Sequence, residues 1–282
     1  MTKSYILSGK KLPEQLVEIL NALGKIFASR RIEFFIIGAT ARDILMEHLH
    51  KAGIRKATLD IDLAVYVPNW NAYDSLIEEI LSTENFSQGN IPHRIVYKEN
   101  YEVDIIPFGD LERDGAIHWP PDETKAMTVL GFVETYHNAI DLTIEETNES
   151  FKVVSIPGLM IHKIIAWAER AKPDKKISDA KDIAFIIENY FEINMEIIFA
   201  DHEDLTVADD FDRHRIAARV LGRDIGVLLA QAPKAAQRVI SILEKQAVDD
   251  ETSHLARDLD VRDVETGFGL LESLLAGIKD RY

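Results

Sequence analysis

The 282-residue chain is 46% hydrophobic and 28% charged, the balance of an ordinary globular protein with enough length for two modest cores. It has no cysteine, which excludes disulfides, thiol catalysis and zinc–thiolate sites. A formal net charge of −16 sets the whole surface against polyanions, so a nucleic-acid substrate needs a local basic patch, whereas a small molecule or a protein acceptor does not. No apolar run reaches the length of a membrane helix, and Met1-Thr2-Lys3-Ser4-Tyr5 has no hydrophobic signal region, so no membrane partner and a cytoplasmic location are expected.

In chain order, residues 12–30 place Leu16, Ile19, Leu20, Leu23, Ile26 and Phe27 at helical spacing. Glu33 to Ile37 is an apolar strand that ends at Gly38, and a second helical pattern follows through Arg42, Ile44, Leu45 and Leu49 until Gly53. Leu59 to Val65 reads as a buried strand and 71–81 as an amphipathic helix. His93 to Tyr97 is expected to pair with Tyr101 to Pro107 across the Glu99-Asn100 turn. The turn-rich loop from Phe108 to Gly115, leading to Trp119-Pro120-Pro121, is placed to close over a substrate. Strands are expected around 128–135, 140–144 and 151–156, with a domain boundary at Pro157-Gly158. Beyond it the pattern is helical, over 157–171, 178–190, 193–200, 208–222, 223–231, 233–246 and 256–280.

Two carboxylates interrupt the apolar strand at Leu59-Asp60-Ile61-Asp62-Leu63. Positions i and i+2 of a strand share a face, which sets Asp60 and Asp62 side by side, roughly 6–7 Å apart. Like charges at the edge of an apolar core repel and lose hydration unless cations meet them. The bland alternative is a solvent-facing strand end with two ordinary acids. Two neighbours favour a site: a glycine turn at Gly38 that leaves N–H groups free at a helix start, where phosphate binds, and a third strand acid, Asp104.

The helix Leu159 to Arg170 is apolar around most of its circumference, with Lys163 among the apolar positions. Lysines so placed often only extend their stems to reach water. The following helix is expected to open at Ser178 as N-cap, with Asp179 and Asp182 at i, i+3 on one face, where acids also simply complement the helix dipole. The nine histidines form no ligand spacing, and Trp70, Trp119 and Trp167 read as core or loop anchors, Trp119 being also suited to stack on a base.

Gly38-Ala39, Asp60-Ile61-Asp62 and Asp104 together resemble the hG[G/S], D-h-[D/E] and later strand acid of the nucleotidyltransferase superfamily with a DNA polymerase β-type catalytic core. Within it, Gly38-Ala39-Thr40-Ala41 resembles the GGTA turn, and Lys56-Ala57-Thr58-Leu59-Asp60-Ile61-Asp62 the R-x-T-x-D-I-D segment, of the bacterial AbiEii-type toxin nucleotidyltransferases; Gly38 to Leu45 also resembles the GGxVRDxLL segment of tRNA nucleotidyltransferases. Ala39 stands where the family has a second Gly or Ser, and Lys56 where it has Arg. Lys163 and the Asp179/Asp182 pair resemble that family's second-domain signature.

The resemblance implies an α+β fold, with a small mixed β-sheet nucleotidyltransferase core and flanking helices over 1–156. An all-helical C-terminal domain over 157–282 would complete the nucleotide and acceptor cleft. It implies two Mg²⁺ ions, or Mn²⁺, on Asp60, Asp62 and Asp104, and an NTP whose phosphates are held by Gly38, Ala39, Thr40 and Arg42. Lys163 would contact the nucleotide, oriented by Asp179 or Asp182. The implied activity is NMP transfer to an acceptor hydroxyl (EC 2.7.7 type), as in the toxin of a type IV toxin–antitoxin pair acting on tRNA, with an antitoxin encoded nearby. The alternatives are an antibiotic-type nucleotidyltransferase acting on a small molecule, a D-x-D glycosyltransferase, and a nucleotide-binding regulator without turnover.

Overall fold

The computed structural model describes residues 3–53, 60–207 and 211–282. Lys56 to Leu59 of the motif segment and the expected helix start at 208 lie outside the described residues. The chain divides into two compact units, Met1–Ser155 and Ile156–Tyr282, and the architecture is α+β.

The first unit runs β1 (Ser4–Leu7), α1 (Glu14–Arg30), β2 (Phe34–Ile37), α2 (Gly38–Asp43, continuing as a π-helical turn over Ile44–Leu49), β3 (Ile61–Tyr66), α3 (Trp70–Leu81), β4 (Phe86–Gln88), β5 (Arg94–Tyr97), β6 (Tyr101–Phe108), β7 (Ala116–His118), β8 (Ala126–Thr128), α4 (Phe132–His137), β9 (Ile140–Ile144) and β10 (Ser150–Val153). Eight strands form one mixed sheet in the order β1-β9-β10-β2-β3-β6-β5-β4, and β7 with β8 makes a separate hairpin. α1 buries Leu16, Ile19, Leu20, Leu23 and Phe27, the positions its helical spacing predicts, and Phe27 meets Phe34 of β2 at a ring distance of 4.6 Å. The side chain of Asn69 accepts from the Ala72 N–H and so starts α3, which buries Tyr73, Leu76, Ile77 and Ile80.

Several expectations are corrected here. β3 begins at Ile61, so Asp60 lies just outside the strand and is exposed. The expected strand 128–135 stops at Thr128, because Gly131 turns the chain at φ 86° and Phe132, Thr135 and Tyr136 then bury one face of α4 at helical spacing. The strand expected over 151–156 ends at Val153, and Ile156 already opens the next helix, with Pro157 in a first turn where proline is tolerated. Strands β1, β4 and β7 were not expected.

The second unit is helical: α5 (Ile156–Glu169), α6 (Pro173–Ile193), α7 (Met195–Asp201), α8 (Glu203–Thr206), α9 (Arg213–Leu229), α10 (Pro233–Gln246), α11 (His254–Asp258) and α12 (Val264–Arg281). α6 starts at Pro173, so Ser178 lies inside the helix instead of capping it. Residues expected as two helices meeting at 222–223 form the single α9, capped at Asp212, with Gly222 kept inside the helix where α12 packs so close that a Cβ would overlap the Leu274 carbonyl; the stretch 256–280 is split into α11 and α12, the latter capped by Asp263. α9 and α12 meet backbone to backbone, and a Cβ on Gly277 would overlap the Arg219 carbonyl. Among the described residues, no helix is long and apolar enough to cross a membrane.

Buried Arg223 ties this unit together through Asp204 and Asp280, donating to Asp280 Oδ2 at 2.8 Å, while Arg219 donates to the same carboxylate at 2.9 Å. Hydrogen bonds from Arg223 hold Asp204, and those from Arg219 and Arg223 hold Asp280, below the ordinary carboxylate range. Depressed folded values make this stabilisation complete above the unfolded carboxylate pKa of about 4 and remove it as pH falls through the folded values. An acid titration of thermal stability should therefore fall more steeply below about pH 4 in the wild type than in Arg223→Met; equal slopes would contradict the pairing.

Candidate active site

The site is a row of side chains across four adjoining strands. Ile37 of β2 lies opposite Asp62 of β3, Asp62 opposite Asp104 of β6, and Asp104 opposite Arg94 of β5. Laterally paired residues share a face and neighbouring strands lie about 4.8 Å apart, so the two acids and the guanidinium stand side by side. β6 alternates as a half-covered strand should: Val103 and Ile105 are buried, while Glu102 and Asp104 share the other face. In β3, Ile61, Leu63 and Val65 are fully or nearly buried and fix which way Asp62 points.

Gly38 ends β2 and opens α2 with φ +66°, and a Cβ at this position would overlap the Asp62 carboxylate. The absent side chain is what lets that carboxylate lie against the turn. Thr40 Oγ1 donates to the Asp60 carbonyl at 2.8 Å, which ties Asp60 to the start of α2. Arg42 is buried, and its Nε donates to Asp43 Oδ1 at 2.8 Å; Ala39 is half-buried within α2. Gly38→Ala should cost about 1–2 kcal/mol for the left-handed backbone alone and displace Asp62 as well. A melting temperature equal to wild type would show that the turn tolerates a side chain.

Asp104 does not stand alone. Arg94 donates from Nε to Oδ1 at 2.7 Å and from Nη2 to Oδ2 at 2.9 Å, and its Nη1 pairs with Glu102. Tyr73 supports β6 from α3, its hydroxyl donating to the Ile105 carbonyl at 2.8 Å. Burial lowers the basicity of the His93 imidazole, with Asp104 opposing and Arg94 adding to the effect. The His93 ring lies 5.1 Å from Trp119, which is buried against Trp70 at 5.0 Å and Tyr73 at 5.8 Å. That cluster is the anchor the sequence suggested for Trp119.

Arg94 and Glu102 were not singled out in the sequence, yet a signal was there. A hairpin that pairs Tyr97 with Tyr101 necessarily pairs position 94 with 104.

The second group lies within the helical unit. Lys163 Nζ of α5 sits 2.8 Å from Asp179 Oδ1 and 2.7 Å from Asp182 Oδ2 of α6, and Arg170 also pairs with Asp179. The three residues are 8%, 2% and 1% exposed, so the lysine does not extend to solvent as the bland reading supposed. Burial disfavours the ammonium, but the two carboxylates outweigh it and the net pKa is raised.

Three carboxylates with hard oxygens suit Mg²⁺ or Mn²⁺, and the Asp62 carboxylate lies in the space that a side chain at Gly38 would fill. Among the described residues no three Asp, Glu or His side chains converge as a metal cluster, and Asp104 is engaged by Arg94.

No family model matches the chain, and no curated protein does. Among solved structures it is similar to an antigenic nucleotidyltransferase-like protein from Paracoccidioides brasiliensis, at 17% identity over 70% of this chain and 91% of that one, with a TM-score of 0.42. It is similar also to the antibiotic-resistance factor ANT(2'')-Ia, at 12% identity over 67% of this chain and 92% of that one, TM-score 0.39. A tRNA-processing enzyme in an apo form matches at 11% identity over 93% of this chain and 78% of that one, TM-score 0.29. These overlaps are shallow, and the functional reading rests on the row of side chains and its turn.

Proposed function

We propose that this chain is a divalent-cation-dependent phosphoryl-transfer enzyme. More narrowly, it is a nucleotidyltransferase that moves an NMP from an NTP to an acceptor hydroxyl and releases pyrophosphate. One observation carries the reading: Asp62 and Asp104 face each other across β3 and β6, with the Asp62 carboxylate lying against the Gly38 turn that opens α2.

Asp60, Asp62 and Asp104 would hold Mg²⁺. When bound, it neutralises triphosphate charge and acidifies the acceptor hydroxyl. The N–H groups of the Gly38-Ala39 turn serve the phosphates, and Arg42, buried and paired with Asp43, serves them as a fixed positive charge. Thr40 serves them indirectly, because its hydroxyl is spent on positioning Asp60. The acceptor oxygen attacks the α-phosphorus, the bond from that phosphorus to the bridging oxygen breaks, and the hydroxyl proton passes to Asp104 as pyrophosphate leaves. The AbiEii-type resemblance would give Lys163 a nucleotide contact, and its ammonium is fixed by Asp179 and Asp182.

The acceptor that the AbiEii-type resemblance favours is tRNA, the chain then being the toxin of a toxin–antitoxin pair. A second reading, a cationic small molecule, is favoured by the net charge of −16. A D-x-D glycosyltransferase has no use for a third acid opposite Asp62. Incubation with each α-labelled NTP, Mg²⁺ and either total tRNA, aminoglycosides or the protein itself tests the reading by where label lands. Label on tRNA supports the toxin assignment and label on an aminoglycoside the second; label on no acceptor would sink both.

A further inference from the structure

The Asp104 carboxylate accepts one hydrogen bond on each oxygen from Arg94, at 2.7 and 2.9 Å, so one lone pair of each oxygen is committed to the guanidinium. The guanidinium has a second anchor in Glu102, two residues before Asp104 on the same face of β6. Among the described residues, no three acidic or histidine side chains converge to hold a cation. A cation held by Asp62 that draws on Asp104 as well competes for a carboxylate already bonded to Arg94 through both of its oxygens.

We infer that Arg94 is the standing counter-ion of Asp104 and sets the protein's affinity for divalent cations, the guanidinium and the ion competing for one carboxylate. The inference rests on the metal-binding reading of Asp62 and Asp104. Glu102 is the second seat of the exchange: when Asp104 turns to the cation, Arg94 stays on Glu102 and its charge is never left without a partner. The planar fork of arginine is what makes the hold on Asp104 two-pronged, and lysine, a point charge, cannot reproduce it.

Arg94→Lys is therefore the informative variant, since it keeps the net charge and loses the fork. Mn²⁺ binding, measured by electron paramagnetic resonance on the full chain without nucleotide, should tighten by about tenfold in Arg94→Lys, the worth of one lost charge-assisted hydrogen bond. A merely structural or long-range electrostatic role leaves the Mn²⁺ affinity unchanged, and that result overturns the inference. A second measurement on the wild type covers the case in which the variant does not fold. The Arg94 Nε–H resonance should lose protection from solvent exchange on Mg²⁺ addition, and retained protection at saturating Mg²⁺ overturns the inference equally. Asp62→Asn separates the two levels. If ions bind in an Asp62-dependent manner but Arg94 has no effect, the inference fails and the metal site stands. If no ion binds in the wild type or in Arg94→Lys, both fail.

Discussion

Asp62→Asn is expected to lower nucleotidyl transfer by about a thousandfold while the fold survives. The substitution keeps the size of the side chain and removes one of the charges that would bind a cation. Loss of roughly 4 kcal/mol of transition-state stabilisation corresponds to that factor. Asn fits the space beside Gly38 as Asp does, so circular dichroism and the melting temperature should stay near wild type. Full activity in Asp62→Asn would remove the residue from the chemistry.

The largest expected effect on stability is at Lys163. Lys163→Met leaves Asp179 and Asp182 buried without their shared cation, Arg170 reaching only Asp179, and such a break costs about 3–5 kcal/mol. The raised pKa of Lys163 makes its stabilisation complete below the unfolded lysine value of about 10.4 and removes it only as pH rises through the folded value, so the whole neutral range should show the loss. The triple variant K163M/D179N/D182N removes the charges together and should recover most of the stability, because an uncharged set leaves no carboxylate stranded. If Lys163 also contacts the nucleotide, the triple variant recovers its melting temperature but not its NTP affinity. Wild-type affinity in the triple variant would confine the group to a structural role.

The core of the site was legible because strand periodicity is strict. Apolar residues around Asp62 and Asp104 fix the face that each acid shares, and a glycine between a strand and a helix marks a turn that side chains obstruct. Arg94 was less visible, since one basic residue in His93-Arg94-Ile95-Val96-Tyr97 looks like an ordinary strand substituent until the register sets it opposite Asp104. The misread strand over 128–135 has a different cause: Thr128, Val129, Phe132, Val133 and Thr135 all favour strands, and the Gly131 turn together with burial of Phe132 and Tyr136 against Phe35 and Phe108 overrides that preference. Likewise, the length of α9 follows from close contact with α12, which no local pattern announces.

The most direct test of the central claim is which phosphorus of the NTP reacts. Parallel incubations with α-labelled and γ-labelled NTP, Mg²⁺ and acceptor should place only the α label on the acceptor and release the γ label as pyrophosphate, both outcomes disappearing in Asp62→Asn. Transfer of the γ label, or α-label transfer that persists in Asp62→Asn, would contradict nucleotidyl transfer at this row of carboxylates.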